Sequence, residues 1–235
     1  MNLTRILNEA VGSWLHFEFS CDRSGLFNEK YLSYPIGQVL SARLGDRVHA
    51  EFTHPVLAAL MKGRGRRPQV DFAYCENWPT PTIAVETKWI GKTKVTVEDI
   101  IWDLIRLEMI AHSSGATCIF VLGGKRKDLD SLFDSVDFSG GSGADCRKPI
   151  LSTKSNSRFG LWLVPREHYR IPLLKGLFAD FQEVPIPHFL STVRAAPFPP
   201  NPPNAHYQVY SWRVYPSAHR QTFLPNENWH YQKNA

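Results

Sequence analysis

Gln69-Val70-Asp71-Phe72-Ala73-Tyr74, the connector Cys75-Glu76-Asn77-Trp78-Pro79-Thr80-Pro81, and Thr82-Ile83-Ala84-Val85-Glu86-Thr87-Lys88-Trp89-Ile90 form the stretch whose reading decides the fold. The two outer segments are rich in β-branched and aromatic residues and alternate in polarity, the pattern of strands. The connector carries two prolines and an asparagine, so the pair reads as antiparallel strands joined by a loop. The side-chain pattern sets the register. With Asp71 opposite Glu86, paired positions sum to a constant, so Phe72 faces Val85 and Tyr74 faces Ile83. One face then carries Val70, Phe72, Tyr74, Ile83, Val85 and Trp89, and the other Asp71, Glu86 and Lys88 beside Ala73, Ala84 and Thr82. A slip of one residue would split this division and bury a carboxylate.

Opposed side chains on such a pair have Cβ atoms about 5 Å apart, and residues two apart on one strand are about 7 Å apart. Asp71, Glu86 and Lys88 therefore reach a common point. Two carboxylates that close repel unless a cation lies between them, and a small set of hard oxygen ligands suits Mg²⁺ or Mn²⁺. A lysine beyond them can hold or deprotonate a water, or stabilise charge on a phosphoryl oxygen.

The neighbouring segments supply an order of elements. Leu26 to Leu44 has helical spacing broken at Pro35, which predicts a turn and then a helix starting at Pro35. Arg47 to Thr53 alternates as a strand, and the two strands above follow. Val97 to His112 is apolar at helical spacing, with Thr96 and Asp99 as a capping box and Gly115 as its end. Ala116 to Leu122 is a continuous apolar run closed by Gly123-Gly124, which suits a buried central strand. The predicted order is αβββαβ.

Asp71, fourteen intervening residues and Glu86-Thr87-Lys88, set in that order of elements, resemble the signature of the PD-(D/E)XK nuclease superfamily. The resemblance spans Gly25 to Gly124. It implies an α/β, restriction-endonuclease-like fold with an αβββαβ core, in which helices flank a mixed central sheet. It further implies a metal-dependent endonuclease that hydrolyses phosphodiester bonds of DNA. Asp71 and Glu86 would hold one or two Mg²⁺ with the Thr87 carbonyl, and Lys88 would position the attacking water. Many members add a glutamate from the first helix, here Glu29, with Glu9 behind it. The proline that often precedes the first acidic residue stands at Pro68, three residues before Asp71. Asp103-Leu104-Ile105-Arg106-Leu107 resembles a pattern found after the lysine strand in some members, while its spacing alone reads as a solvated ion pair one turn apart.

Charge distribution bears on the same reading. The net charge of +5 is modest, but Lys62, Arg64, Arg66 and Arg67 cluster just before Asp71, and Lys92 and Lys94 follow Lys88. Both groups flank the proposed site, where a phosphate backbone would run, so Arg64, Arg66, Arg67, Lys92 and Lys94 are the expected DNA contacts. At 235 residues the chain is long enough for a sizeable core. A nuclease domain over 1–180, with its core at 25–124, and a proline-rich connector and C-terminal strand over 181–235 packed on that domain are expected. Val184 to Asn204 should be extended and poor in regular structure, Phe159 to Pro165 a strand, and Tyr207 to Tyr215 a last strand.

Other classes fall away. There is no long apolar run for a membrane span, and Leu3 to Glu9 is too charged for a signal peptide, so a cytoplasmic protein is expected. Cys21, Cys75, Cys118 and Cys146 lack metal-ligand spacing and read as reduced thiols. His49-Ala50-Glu51 has the H-x-E of zinc nucleobase deaminases without their P-C-x-x-C. His49 and Glu51 do share a strand face and are expected to border the metal site. No nucleotide-cofactor motif frames a strand-to-helix turn. The alternative reading is a non-cleaving nucleic-acid-binding or assembly protein on the same fold, and either reading accommodates a homodimer or a larger defence or processing complex. The presence of acid, acid and lysine together weighs against it.

Overall fold

The computed structural model describes residues 2–60, 67–91, 95–141, 148–152, 154, 156–200 and 206–232. Its elements in chain order are α1 (Leu3–Ser20), α2 (Glu29–Leu44), β1 (Val48–Phe52), β2 (Val70–Tyr74), β3 (Ile83–Ile90), α3 (Val97–Ser114) and β4 (Thr117–Lys125). They are followed by α4 (Arg126–Asp134), α5 (Val136–Ser139), β5 (Arg158–Trp162), α6 (Ile171–Phe178), β6 (Ile186–Pro187), β7 (Phe189–Arg194), β8 (Tyr207–Pro216) and β9 (Thr222–Phe223). Seven strands form one sheet in the order β1-β2-β3-β4-β8-β7-β5. β3 and β4 run parallel and the other pairs antiparallel, so the sheet is mixed. None of the described helices is long and apolar enough to cross a membrane.

Helices cover both faces. α1 follows its Asn2 cap, whose side chain accepts from the Arg5 N–H, and buries Leu3, Leu7, Val11 and Leu15 at helical spacing. With Leu32, Ile36 and Leu40 of α2 they pack on Phe72, Val85, Ile119, Val121 and Val209 of the sheet. On the opposite face α3 buries Ile100, Ile101, Leu104 and Leu107 against Ala84, Cys118, Phe120 and Leu122. Each such aliphatic side chain contributes about 1.5–3 kcal/mol of hydrophobic stabilisation. The capping box of Thr96 and Asp99 starts α3, and Gly115, left-handed at φ 72°, ends it. Cys75 and Cys118 are buried thiols and Cys21 an exposed one.

The register between β2 and β3 is the expected one: Phe72 pairs with Val85, Ala73 with Ala84 and Tyr74 with Ile83. The expected sharing of one face by Val70 and Phe72 is not seen. Val70 packs with Phe52, Leu57 and Leu60 in the α3-side core, whereas Phe72 belongs to the α1–α2 core. The pleat is interrupted here. Glu51 takes a left-handed φ of 51°, and the ladder to β3 stops at Phe72.

Three further expectations are corrected. α2 does not begin at Pro35; Asn28 caps it through the Tyr31 N–H, and Pro35 sits buried inside the helix. Burial of Leu32, Ile36 and Leu40 outweighs the roughly 3 kcal/mol cost of an interior proline. β4 does not close at Gly123-Gly124 but runs through it, because both residues pair with β3 and with β8; glycine suits the positions, since a Cβ at Gly123 would lie 3.0 Å from Leu32 Cδ1 and one at Gly124 2.7 Å from the Ile90 carbonyl. The described part of the stretch 184–204, residues 184–200, is not poor in structure, and 201–204 lie outside the described residues. It contributes β7, which lies in the main sheet beside β8, and β8 itself is an inner strand between β4 and β7.

Candidate functional site

Asp71, Glu86 and Lys88 come together with two residues of α3, Asp103 and Arg106, and with Glu29 at the start of α2. Beyond Phe72, β2 leaves the ladder and the Asp71 carboxylate takes the place of a backbone partner. Asp71 Oδ2 accepts from the Thr87 N–H at 2.7 Å and from the Thr87 hydroxyl at 2.5 Å. This anchors Asp71 to the strand that carries Glu86 and Lys88. Glu86 is 4% exposed, and its Oε1 receives Arg106 Nη2 at 2.5 Å. Its other oxygen, Oε2, is buried with no hydrogen-bond partner among the described residues.

Lys88 is the centre of a ring of acids. Its Nζ lies 3.0 Å from Asp103 Oδ2, 3.7 Å from Glu29 Oε1 and 3.8 Å from Glu86 Oε1, and it donates to the Thr87 carbonyl at 3.4 Å. Arg106 completes the network. Its Nη2 also binds Asp103 Oδ1, and its Nη1 donates to the Gln69 carbonyl at 2.7 Å, tying α3 to the start of β2.

The electrostatics follow from this crowding. Asp71, Glu29, Glu86 and Asp103 are four carboxylates against the two cations Lys88 and Arg106, so full ionisation leaves two negative charges. Burial pushes Glu86 well above the usual carboxylate range, and neighbouring Asp103 adds to the rise while Arg106 opposes it. Asp103 and Glu29 are raised for the same first reason, burial, with Arg106 restraining the one and Lys88 the other. Burial alone would lower Lys88, but Asp103, Glu86 and Glu29 outweigh it and hold the ammonium above its ordinary range. Its three acidic neighbours thus favour the charged form of Lys88.

Asp103 and Arg106 correct the reading of a solvated ion pair. Asp103 is 3% exposed and Arg106 is largely buried, because both face the sheet from α3. A signal was present in the sequence: Asp103 falls on the stripe of Ile100, Leu104 and Leu107, where a lone acid is out of place unless paired. Glu9 instead pairs with Arg5 on the exposed side of α1. His49 packs on the Trp78 ring at 4.6 Å in the loop after β2, whereas Glu51 is exposed and its carbonyl accepts from the Gln69 side chain just before β2. Arg67 is exposed just before β2, whereas Arg64, Arg66, Lys92 and Lys94 lie outside the described residues.

The donor set can be compared with what a metal needs. Among the described residues, no three His, Cys, Asp or Glu side chains converge into a metal cage. Mg²⁺ does not require one, since it is commonly held by one or two carboxylates and keeps several waters. The groups that could contribute to so small a set are Asp71, Glu86 with its unpartnered oxygen and the Thr87 carbonyl. In comparisons with known proteins, no family model matches the chain, and no curated protein or solved structure resembles it significantly.

Proposed function

We propose that the chain is a metal-dependent DNA endonuclease built on a restriction-endonuclease-like core. The observation that carries this reading is the buried Glu86 carboxylate with an unpartnered oxygen, beside the anchored Asp71 and within reach of a charged lysine. Asp71, Glu86 and the Thr87 carbonyl would hold Mg²⁺ or Mn²⁺. Such an ion, when bound, polarises a phosphoryl oxygen and makes a coordinated water more acidic. Lys88 acts as a fixed cation that orients the attacking water and stabilises negative charge on the phosphate. Glu29 and Asp103 hold its ammonium in place, and Arg67 with its basic neighbours in sequence receives the phosphate backbone.

One observation favours a second reading. Glu86, Asp103, Lys88 and Arg106 form a neutral quartet by themselves, as a structural ion network in a non-cleaving DNA-binding protein would. Incubation with plasmid, single-stranded DNA and RNA, in Mg²⁺, Mn²⁺, Ca²⁺ or excess chelator, separates the two. DNA cleavage is expected with Mg²⁺ or Mn²⁺, and Ca²⁺ should support binding with little turnover. Undiminished cleavage in chelator removes the metal mechanism. Binding without cleavage under any metal leaves the second reading in its place.

A further inference from the structure

A separate cleft opens where α1 begins. It measures about 440 Å³ and has Ile83, Ile119 and Val193 as its apolar floor, with Thr117, Arg194, Arg213 and Tyr215 in its walls. Asn2 and Thr4 at the start of α1 border it. Ile83 and Thr117 head β3 and β4, while Glu86 and Lys88 lie three and five residues further on, about 10–17 Å along the strand. The two sites share no residue.

The charges around this cleft have one sign. Arg213 and Tyr215 line the cleft and Arg158 stands at its edge, outside the lining; both arginines are exposed, and their guanidinium groups lie 4.8 and 5.0 Å from the centroid of the one Tyr215 ring. The register explains the convergence, since Arg158 pairs with Val193 and Val193 with Arg213 across three neighbouring strands. Both arginines are steadied by hydroxyl groups. Arg158 Nε donates to Ser191 Oγ at 3.0 Å and Arg213 Nη2 to Thr117 Oγ1 at 3.4 Å. Neither has a carboxylate partner among the described residues, and no aspartate or glutamate among them lines the cleft. α1 adds the positive end of an 18-residue helix with no acid in its first turn.

Like charges gathered round one ring repel, and their remaining N–H donors are satisfied by water or by an anion. A guanidinium is a planar fork that matches two oxygens of a phosphate or a carboxylate, and two such cations beside each other suit the greater charge and the additional oxygens of a phosphate. The apolar floor beside them offers a place for a sugar or base. We propose that this cleft binds the phosphate ester of a nucleotide, either free or within a single-stranded chain, independently of the carboxylate cluster.

Calorimetric titration in metal-free buffer tests this with three probes: inorganic phosphate, a nucleoside 5′-monophosphate and a short single-stranded oligonucleotide. The parent should bind the mononucleotide or the oligonucleotide saturably. Arg213→Glu and Arg158→Glu should each weaken binding at least about tenfold, the scale of roughly 1.4 kcal/mol for one lost charge-assisted contact. Arg47→Glu, the same reversal on an arginine beside Tyr74, should change affinity far less. The parent and the three variants are compared as proteins shown by circular dichroism to be folded. Mononucleotide binding identifies a free nucleotide as the ligand, and oligonucleotide binding alone, weakening with salt, identifies the backbone. Failure of the parent to bind any probe overturns the proposal, and so does an equal loss in Arg47→Glu.

Discussion

Lys88 has two roles that substitution can separate. On the nuclease reading its ammonium stabilises charge at the phosphate, and Lys88→Ala should lower turnover at least about 100-fold. It is also a structural partner. Asp103 is 3% exposed and would lose its 3.0 Å ion pair, and breaking a buried pair costs about 3–5 kcal/mol, less here because Arg106 still holds Asp103. The melting temperature of Lys88→Ala should therefore fall. Lys88→Met with Asp103→Asn removes both charges together, and should recover stability while leaving turnover low. Recovery of turnover in the double variant would show that Lys88 serves only the fold. Glu86 and Lys88 were legible in the sequence because strand alternation puts them on one face, and Asp71 because the β2–β3 register brings it opposite them. Arg106 was not, since its partners lie 20 residues back on β3 and 37 residues back at Gln69.

At the scale of an element, α3 carries an unusual burden of buried charge. Besides Asp103 and Arg106 it buries Glu108, which is fully inaccessible and paired with Arg220 at 3.0 Å. Burial raises the Glu108 carboxyl above its ordinary value of 4.5, and Arg220 offsets this only in part. An acid whose folded value is raised contributes most to stability when protonated, below its unfolded value. That contribution is lost as pH rises from about 4.5 through the folded value. Arg220→Ala removes the offset. It should destabilise by about 3–5 kcal/mol at neutral pH, and the deficit should shrink as pH is lowered towards 4.5. Denaturant unfolding at several pH values reads this directly, and Glu108→Gln in the same background should abolish the pH dependence of the deficit. A deficit that stays constant with pH would place its origin in lost packing of the arginine stem. The ends of α3 were legible from Thr96, Asp99 and Gly115, because capping is local chemistry. The partner of Glu108 was not, since Arg220 is 112 residues away.

At the scale of the molecule, the sheet is closed by strands from the far end of the chain. β8 pairs with β4 along eight positions from Cys118 to Lys125, and β7 and β5 build outward from it. Trp212, 1% exposed, packs against Phe120, and its indole N–H donates to the Ser152 carbonyl at 2.9 Å. A fragment ending at residue 180 would expose the β4 edge and the apolar faces on both sides of it. Such a fragment should show no cooperative thermal transition, whereas the whole chain should unfold in one. A fragment that melts cooperatively would mean that 1–180 folds as a unit on its own.

The sequence by itself determined the elements whose causes are local. These are the antiparallel pair around 71 and 86, its register, the capped helix after it and the apolar strand that follows. Alternation, helical spacing and turn chemistry act over a few residues and so are written in a few residues. The tertiary structure decided what depends on distant partners. It turned Asp71 onto the Thr87 backbone and drew Asp103 and Arg106 inward to surround Lys88. It carried β4 through Gly123-Gly124 by pairing both glycines with β3 on one side and β8 on the other, and it placed Tyr207–Pro216 inside the sheet between β4 and β7. In each case the deciding term is burial: a charge or a strand edge removed from water must find its complement, and the fold brings that complement from elsewhere in the chain.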